Sequence, residues 1–281
     1  MSVFESFIVW GGIYLYALDS ILLLTAFVFN KEKLLAWAGR LLVPAFAVHT
    51  FEFGYRWYST GYFPGNGEYE NGLVAGWFAM AFTVYFFYRR QGLRGVALVT
   101  VPATLLMLGY GIMIDPVVLP VAASFKSNWL IIHVFFAQIS YGAYAIACGL
   151  GVIYILKDNR QKKGIEGTIY ERFPSLPVLE EYMFKFVVYG FITDAVMIAA
   201  GSIWAKELWG SYWGWDPVEV WSLVSWLVYG LAIHLRVTMG WRGRKLAWLM
   251  IFAIITVIIT YWGVDVIVEG SHRMFGVQRP E

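Results

Sequence analysis

Residues 6–29 read SFIVWGGIYLYALDSILLLTAFVF, an apolar run long enough to cross a bilayer as a helix, which takes about 20 residues. Similar runs fill most of the 281-residue chain, of which 59% is hydrophobic and 14% is charged. Soluble domains carry roughly 25% charged residues, so the composition excludes a water-soluble fold. The first run follows no basic segment and precedes no small-residue cleavage site, and we therefore expect a retained span.

Clusters of Gly, Pro and charged residues divide the chain into eight candidate spans. These lie near 7–29, 36–54, 72–88, 96–114, 129–156, 183–205, 217–236 and 248–268. Because each span takes about 20 residues, little of the chain is left for a separate soluble domain. The sequence predicts an all-α, polytopic membrane helix bundle with residues 1–281 in a single membrane domain.

Lysine and arginine residues are distributed unequally over the loops between these spans. If the N-terminus lies outside, 16 of the 21 basic residues fall on the cytoplasmic side and 5 on the other. Cytoplasmic loops collect Lys and Arg, so this asymmetry predicts that both termini are extracytoplasmic. The net charge of +2 is small, and we expect no nucleic-acid partner.

Aromatic residues concentrate in the loops that this orientation puts outside, at 56–72, 115–128 and 204–219. Tyr and Trp are ordinarily enriched at membrane interfaces, which explains part of the pattern. The segment 204–221 is denser than an interfacial belt requires, because it holds five tryptophans in 18 residues. They are Trp204, Trp209, Trp213, Trp215 and Trp221. We predict that this tryptophan-rich segment has a function beyond anchoring.

Four histidines lie in or beside spans: His49, His133, His234 and His272. A single histidine in a helix bundle is more often a hydrogen-bonded core residue than a ligand, but ionisable groups in the bilayer are functional candidates. The predicted orientation puts His133 and His272 at the outer face, level with the tryptophan-rich segment. Two neutral imidazoles and a broad aromatic surface suit the axial positions and flat macrocycle of haem. Zinc would need further nitrogen or thiolate ligands nearby.

A helix-capping arrangement opens the seventh span, with Asp216 as N-cap, Pro217 at the first helical position and Glu219 at the third. His234 follows Asp216 by 18 residues, which is roughly 27 Å along one helix and close to the ~30 Å hydrocarbon thickness. One porphyrin cannot contact both ends, so a ligand role for His234 requires two haem positions. Arg236 then fits either a propionate partner or an inside-positive anchor.

Three aspartates fall within the predicted spans: Asp19, Asp194 and Asp265. They fit two roles, orientation of an imidazole or pairing with a neighbouring hydroxyl group, and the sequence does not choose between them. Cys148 is the one cysteine, so it can form neither an internal disulfide nor a CxxC redox pair. Any thiol chemistry therefore requires a partner.

The segment 209–236, WGSYWGWDPVEVWSLVSWLVYGLAIHLR, closely resembles the WWD signature of the CcsA/ResC family of system II cytochrome c biogenesis proteins. Two further stretches are similar to segments of that family: RWYSTGYFPGNGEYE at 56–70 and WLIIHVFFAQISYGAYAIA at 129–147. The resemblance extends from about 45 to 273 and thus covers most of the chain.

The resemblance assigns roles by position. It implies that His133 and His272 are external haem ligands and that His234 is an intramembrane haem ligand. The haem platform falls on Trp209, Trp213, Trp215 and Asp216. His49 is either a substitute inner ligand or a buried polar residue, because in fused family members the partner of the intramembrane histidine comes from the CcsB part.

The resemblance also implies a function. Such proteins conduct haem b from the cytoplasmic side to an external site and present it, with a ResB/CcsB-type membrane partner, to the CxxCH motif of apocytochrome c. The chain is then expected in a bacterial plasma membrane or a thylakoid-type membrane, as part of a holocytochrome c synthetase. No catalytic side chain is expected, because the apocytochrome supplies both thiols for the thioether bonds to the haem vinyl groups.

Three alternative interpretations stay open. Within haem handling, HemX-like regulators of haem synthesis and system I proteins such as CcmC and CcmF are also similar, although DPVE after the tryptophans and eight spans favour CcsA. A membrane cytochrome b subunit would need histidine pairs on facing spans at matched depth, which only His133 and His272 satisfy. The third alternative is a small-molecule transporter with structural histidines.

Overall fold

The computed structural model describes residues 1–29, 31–65, 67–89, 91–114, 127–164 and 173–263. Within these ranges the chain forms eight α-helices and no strand. The helices are α1 (Val3–Val28), α2 (Glu32–Thr60), α3 (Gly67–Arg89), α4 (Ala97–Ile114), α5 (Asn128–Lys162), α6 (Leu176–Trp209), α7 (Pro217–Val237) and α8 (Arg244–Ile258). A 3₁₀ segment, Gln91–Val96, precedes α4, and a π-helical segment, Ile259–Gly263, follows α8.

Among the described residues, eight helical segments are long and apolar enough to cross a membrane. This confirms the predicted polytopic helix bundle and makes the chain an integral, multi-pass membrane protein. The sidedness of the bundle stays a prediction from the distribution of Lys and Arg. "Outer end" below means the end that this distribution predicts to be extracytoplasmic.

Three helices extend well beyond the apolar runs that predict them. They end at Thr60 in α2, at Lys162 in α5 and at Trp209 in α6. The extra turns contain residues that support a helix, such as Lys162, whose Nζ donates to the Asp158 carboxylate at 2.9 Å across one turn. Hydropathy marks only the part of a helix that lies in hydrocarbon. Backbone hydrogen bonding continues until Gly61 and Gly210, in left-handed conformations with φ 73° and 78°, end α2 and α6.

The helices form two compact units, each with its own packing. The first unit, Met1–Ala122 and Gly167–Pro174, holds α1–α4, and the second unit, Ala123–Glu166 and Ser175–Glu281, holds α5–α8. In the first unit, α2 and α4 each pack against both α1 and α3. In the second unit, α6 and α8 each pack against both α5 and α7. The tryptophan-rich segment therefore belongs to the second unit, while the prediction of one membrane domain stays a prediction.

A buried ion-pair cluster joins three helices of the first unit at its outer end. Arg56 of α2 is 1% exposed. Its Nη1 donates to Glu5 Oε1 of α1 and its Nε donates to Glu70 Oε1 of α3, both at 2.8 Å. The Tyr62 hydroxyl donates to the same Glu70 oxygen at 3.0 Å. Arg56 and Glu70 are the first and last residues of the stretch 56–70, so this stretch fastens three helix ends together.

Replacement of Arg56 by leucine should destabilise the protein, because Glu5 and Glu70 would then be buried carboxylates without their cation. Removing one partner of a buried ion pair typically costs about 3–5 kcal/mol. The thermal unfolding midpoint of the solubilised protein measures the loss. Arg40→Leu is the matched control, since Arg40 is an exposed residue of the same helix. Equal midpoints for the two variants would contradict the role of the cluster.

Candidate functional site

Residues 210–216 connect α6 to α7 at the outer end of the second unit. The connection starts at Gly210, whose carbonyl oxygen accepts a hydrogen bond from Lys206 Nζ of α6. The helix boundaries divide the five tryptophans of the tryptophan-rich segment among α6 (Trp204 and Trp209), the connection (Trp213 and Trp215) and α7 (Trp221). The exposed loop is therefore shorter than the predicted outer stretch 204–219.

The start of α7 is capped as the sequence predicts. Asp216 Oδ1 accepts a hydrogen bond from the Val218 N–H at 2.9 Å, and Glu219 Oε2 accepts one from the Asp216 N–H at 3.2 Å. Pro217 occupies the first helical position. The same Glu219 oxygen accepts a second hydrogen bond, from the Gly214 N–H at 2.8 Å. This carboxylate thus binds both the helix start and the loop that precedes it.

Trp215 is the one non-glycine residue with a positive φ in the part of the chain that the structure describes, at 57°. A non-glycine residue in this left-handed region costs about 1–2 kcal/mol, and such strain persists only where the surroundings impose it. Trp215 is 72% exposed. Its ring lies 6.0 Å from that of Trp213 at an interplanar angle of 87°. The loop therefore presents two indoles at right angles to each other.

His133 of α5 is held in one tautomer by α6. Its Nδ1 lies 2.9 Å from the Met197 carbonyl oxygen. Because a carbonyl only accepts, Nδ1 carries the proton, and the lone pair of the neutral ring is on Nε2. Metal-ligating histidines commonly donate their other ring N–H to a carbonyl in this way. Gly201 makes room for the ring, since a Cβ at this position would lie 2.6 Å from His133 Nδ1.

Trp204 supports His133 from the same face of α6. It is 6% exposed, and its ring stacks on the imidazole with centroids 6.2 Å apart and an interplanar angle of 27°. Trp209 packs beside it, with centroids 6.2 Å apart. The sequence pattern places Trp204 in an outer loop and gives it no link to His133. The spacing of Met197, Gly201 and Trp204 along one helical face is the available signal, but it does not reveal which side chain that face contacts.

His49 lies in the first unit, 2% exposed, with both ring nitrogens hydrogen bonded. Nε2 donates to the Leu73 carbonyl oxygen at 2.9 Å, and Nδ1 accepts from the Tyr16 hydroxyl at 3.1 Å. Coordination of iron by His49 would require one of these hydrogen bonds to break. Of the two roles that the sequence leaves open, the geometry favours the buried polar residue.

His234 and Arg236 lie on different faces of α7 near its end. His234 is exposed, and its Nδ1 lies 3.4 Å from Thr238 Oγ1. Arg236 Nη2 donates to Glu180 Oε1 at 2.9 Å, and its guanidinium lies 5.4 Å from the Phe184 ring centroid. Arg236 is therefore engaged by α6, which favours its structural role over a propionate contact. α7 runs unbroken from its cap to His234, as the estimate of their separation assumes.

The buried aspartates do not contact a histidine in the hydrogen bonds of the described residues. Asp194 Oδ2 accepts from the Tyr144 hydroxyl at 3.1 Å, which favours pairing with a hydroxyl over orientation of an imidazole. Neither carboxylate oxygen of Asp19 has a hydrogen-bond partner among the described residues. His272, Asp265 and residues 115–126 of the predicted outer loop lie outside the described residues.

These features define a class of protein: a multi-pass membrane helix bundle with an oriented histidine and a capped, strained loop at one end. This loop, residues 210–216 with Trp213 and Trp215, is called the tryptophan loop. The chain belongs to the cytochrome c assembly protein family, whose model matches residues 68–272. This confirms the family resemblance that the tryptophan-rich segment indicates.

Individual relatives agree with this membership. The chain is 30% identical over 242 residues to the cytochrome c biogenesis protein CcsA of Guillardia theta, covering 79% of this chain and 80% of that protein. It is 29% identical to CcsA of Synechocystis, covering 90% and 93% of the two chains. The solved structure of the cytochrome c haem lyase CcmF aligns with a TM-score of 0.65 at 16% identity. That alignment covers 92% of this chain and 46% of CcmF, so the chain spans about half of that lyase and shares its fold.

Asp216→Ala should lower the unfolding midpoint of the protein, because the Val218 N–H loses its acceptor and an N-cap is worth about 1 kcal/mol. Asp216→Asn should have a much smaller effect, since asparagine caps a helix about as well as aspartate. Thermal unfolding of the two variants side by side measures the difference. If both lost the same stability, the charge of Asp216 rather than its cap would be the important property.

Proposed function

We propose that this chain binds haem b at its outer end and presents it for covalent attachment to the CxxCH motif of an apocytochrome c, together with a ResB/CcsB-type membrane partner. The broader role, in cytochrome c biogenesis, follows from family membership. The finer proposal is supported above all by the hydrogen bond between His133 Nδ1 and the Met197 carbonyl. This bond puts the proton of the neutral ring on Nδ1, so Nε2 is the nitrogen with a lone pair for iron.

Bis-histidine ligation suits a haem that must be held and then released. His133 supplies one axial ligand in this proposal, and His272 supplies the other by its resemblance to the second external histidine of the CcsA/ResC family. Two imidazoles saturate the iron and protect it from oxidation before transfer. One ligand then leaves, and the histidine of the CxxCH motif takes its place.

The tryptophan loop supplies the surface for the macrocycle. Trp215 is largely exposed, and Trp213 lies beside it at right angles. Indole faces of this kind stack on flat apolar rings and exclude water from them. Trp209 and Asp216 take part through the structure of the loop, since Trp209 ends α6 and Asp216 caps α7. Trp204 belongs to the site through its contact with His133.

Thioether formation needs no nucleophile from this chain. Each cysteine S–H of the apocytochrome adds across a haem vinyl group: sulfur bonds to the carbon beside the ring, hydrogen goes to the terminal carbon, and nothing leaves. Cys148 is the one cysteine of the chain and lies within α5, in the second unit. The contribution of the chain is to fix the vinyl groups relative to the incoming thiols and to keep water out. We assign no catalytic side chain.

Substitution of His133 or His272 by glycine should lower the haem retained by the purified protein and abolish cytochrome c maturation. The reason is the loss of an axial ligand, while membrane insertion should continue because the apolar residues of the spans are unchanged. Added imidazole should restore part of both by filling the vacated position. The Soret absorbance per protein and the yield of covalently haem-bearing cytochrome c are the two measurements.

A glycine pair supplies the matched control for His133. Gly201→Ala places a Cβ against the imidazole and should also lower the retained haem, whereas a Cβ at Gly142 has nothing within 4 Å. Gly142→Ala should therefore retain haem as the unmodified protein does. Normal haem content and full maturation in a His133/His272 double variant would rule out the ligand assignment. A wild-type protein without any Soret band would contradict every haem hypothesis.

His234→Ala should deplete haem at the outer site although His133 and His272 remain. This follows if haem enters at an inner position near His234 and moves outward, since the two ends of α7 lie roughly 27 Å apart. The His133/His272 double variant should instead retain an inner haem, seen as a residual Soret band with altered ligation. The order in which the two positions fill is measured by the haem spectra of the wild type, the His234 variant and the double variant. The yield of cytochrome c is measured for the same three proteins.

A His234 variant with full outer haem and normal maturation would disprove the inner position. His49→Ala separates its two roles in the same assay. Loss of the inner signal alone would show that the inner haem needs His49. An unchanged spectrum would leave His49 as the buried residue that bonds Leu73 and Tyr16.

A further inference from the structure

The conformation of Trp215 needs an explanation beyond helix capping. A large aromatic side chain at φ 57° is strained, and its surroundings must hold it there. The cap of α7 uses the side chains of Asp216 and Glu219 and N–H groups from Asp216 onward, and helix caps of this kind require no positive φ at the residue before the N-cap. The strain therefore serves something other than the start of the helix.

Two hydrogen bonds to one carboxylate oxygen enclose this residue. Glu219 Oε2 accepts from the Gly214 N–H at 2.8 Å and from the Asp216 N–H at 3.2 Å. These are the backbone amides immediately before and after Trp215. A capping box uses only the second of them. The first is an additional bond that fixes the peptide between Trp213 and Gly214, one residue before Trp215.

We propose that Glu219 is a positioning residue that imposes the left-handed conformation of Trp215 and so holds its indole in the orientation that binds haem. This rests on the proposed function, in which Trp215 is part of the haem surface. Glu219 itself does not touch the ligand. Its carboxylate clamps the backbone on both sides of Trp215, and the ring projects from this clamped position, 72% exposed and perpendicular to Trp213.

The clamp, meaning the two hydrogen bonds from the Gly214 and Asp216 N–H groups to Glu219, is tested first by thermal unfolding in the absence of haem. Trp215→Gly should raise the unfolding midpoint by about 2 °C, because glycine adopts a positive φ without strain. The same substitution in a Glu219→Ala background should give no such rise, since residue 215 is then no longer forced into the left-handed region. An equal rise in both backgrounds overturns the clamp.

A second experiment tests whether Glu219, by holding Trp215, slows the release of haem. It measures the rate at which the solubilised full chain loses haem b to an excess of a haem-scavenging apoprotein. Glu219→Ala should speed the loss about tenfold, an effect of the size of one good aromatic contact. Trp215→Gly should speed it equally, and the double variant should lose haem no faster than either single variant. Independent, multiplied effects overturn the proposal.

Two further variants separate positioning from general loosening of the loop. Glu219→Gln keeps a side-chain oxygen that can accept both N–H groups and should release haem at close to the wild-type rate. Lys206→Met removes the hydrogen bond to the Gly210 carbonyl at the other end of the loop and should leave the rate unchanged. A tenfold faster loss in Lys206→Met would show that any weakening of the loop suffices and would overturn the role of Glu219.

The two readouts also distinguish failure of this inference from failure of the proposed function. If Trp215→Gly raises the unfolding midpoint only when Glu219 is present, but the chain binds no haem b, the clamp exists and the proposed function fails. A chain that binds haem b tightly, with an equal midpoint rise in both backgrounds and no effect of Glu219→Ala on haem loss, has the function and lacks the clamp.

Discussion

Hydrocarbon offers no hydrogen bonds to a polypeptide, and this constraint determines most of the structure. Every backbone group in a span must pair within its own helix, so the described spans are helical throughout. Several buried polar side chains pair with one another as well: Arg56 bonds Glu5 and Glu70, and Tyr144 bonds Asp194. Irregular backbone is left to the helix ends. The ends are therefore the places where a membrane protein of this size can hold an exposed binding surface.

The connection between α6 and α7 shows how such an end is kept rigid. Two side chains at the start of α7 hold it: Asp216 caps the helix, and Glu219 accepts from the Gly214 and Asp216 N–H groups. A surface already held in shape loses little conformational entropy when it binds a ligand. Helix α6 contributes as well, because its Met197 carbonyl and its Trp204 ring hold His133. The loop and the histidine are thus supported by the two helices that flank the loop.

Identical residue types have different chemistry in this chain because their neighbours differ. His133 donates Nδ1–H to a carbonyl, which puts the lone pair of the neutral ring on Nε2. His49 uses both nitrogens to join helices of the first unit. His234 is exposed at the other end of α7 and bonds only weakly to Thr238 through Nδ1, at 3.4 Å. The sequence names all three as candidate haem ligands, whereas their hydrogen bonds show how each ring is held.

The sequence by itself determined the eight spans, the cap at Asp216 and the family, because run length, local residue order and a continuous motif carry that information. It placed the ends of α2 and α6 too early, since hydropathy reports hydrocarbon and not the extent of backbone hydrogen bonding. Only the tertiary structure joined His133 to Met197, 64 positions away, and revealed the φ of Trp215. Contacts between helices depend on which faces pack together, and that choice is made by the whole unit rather than by any local pattern.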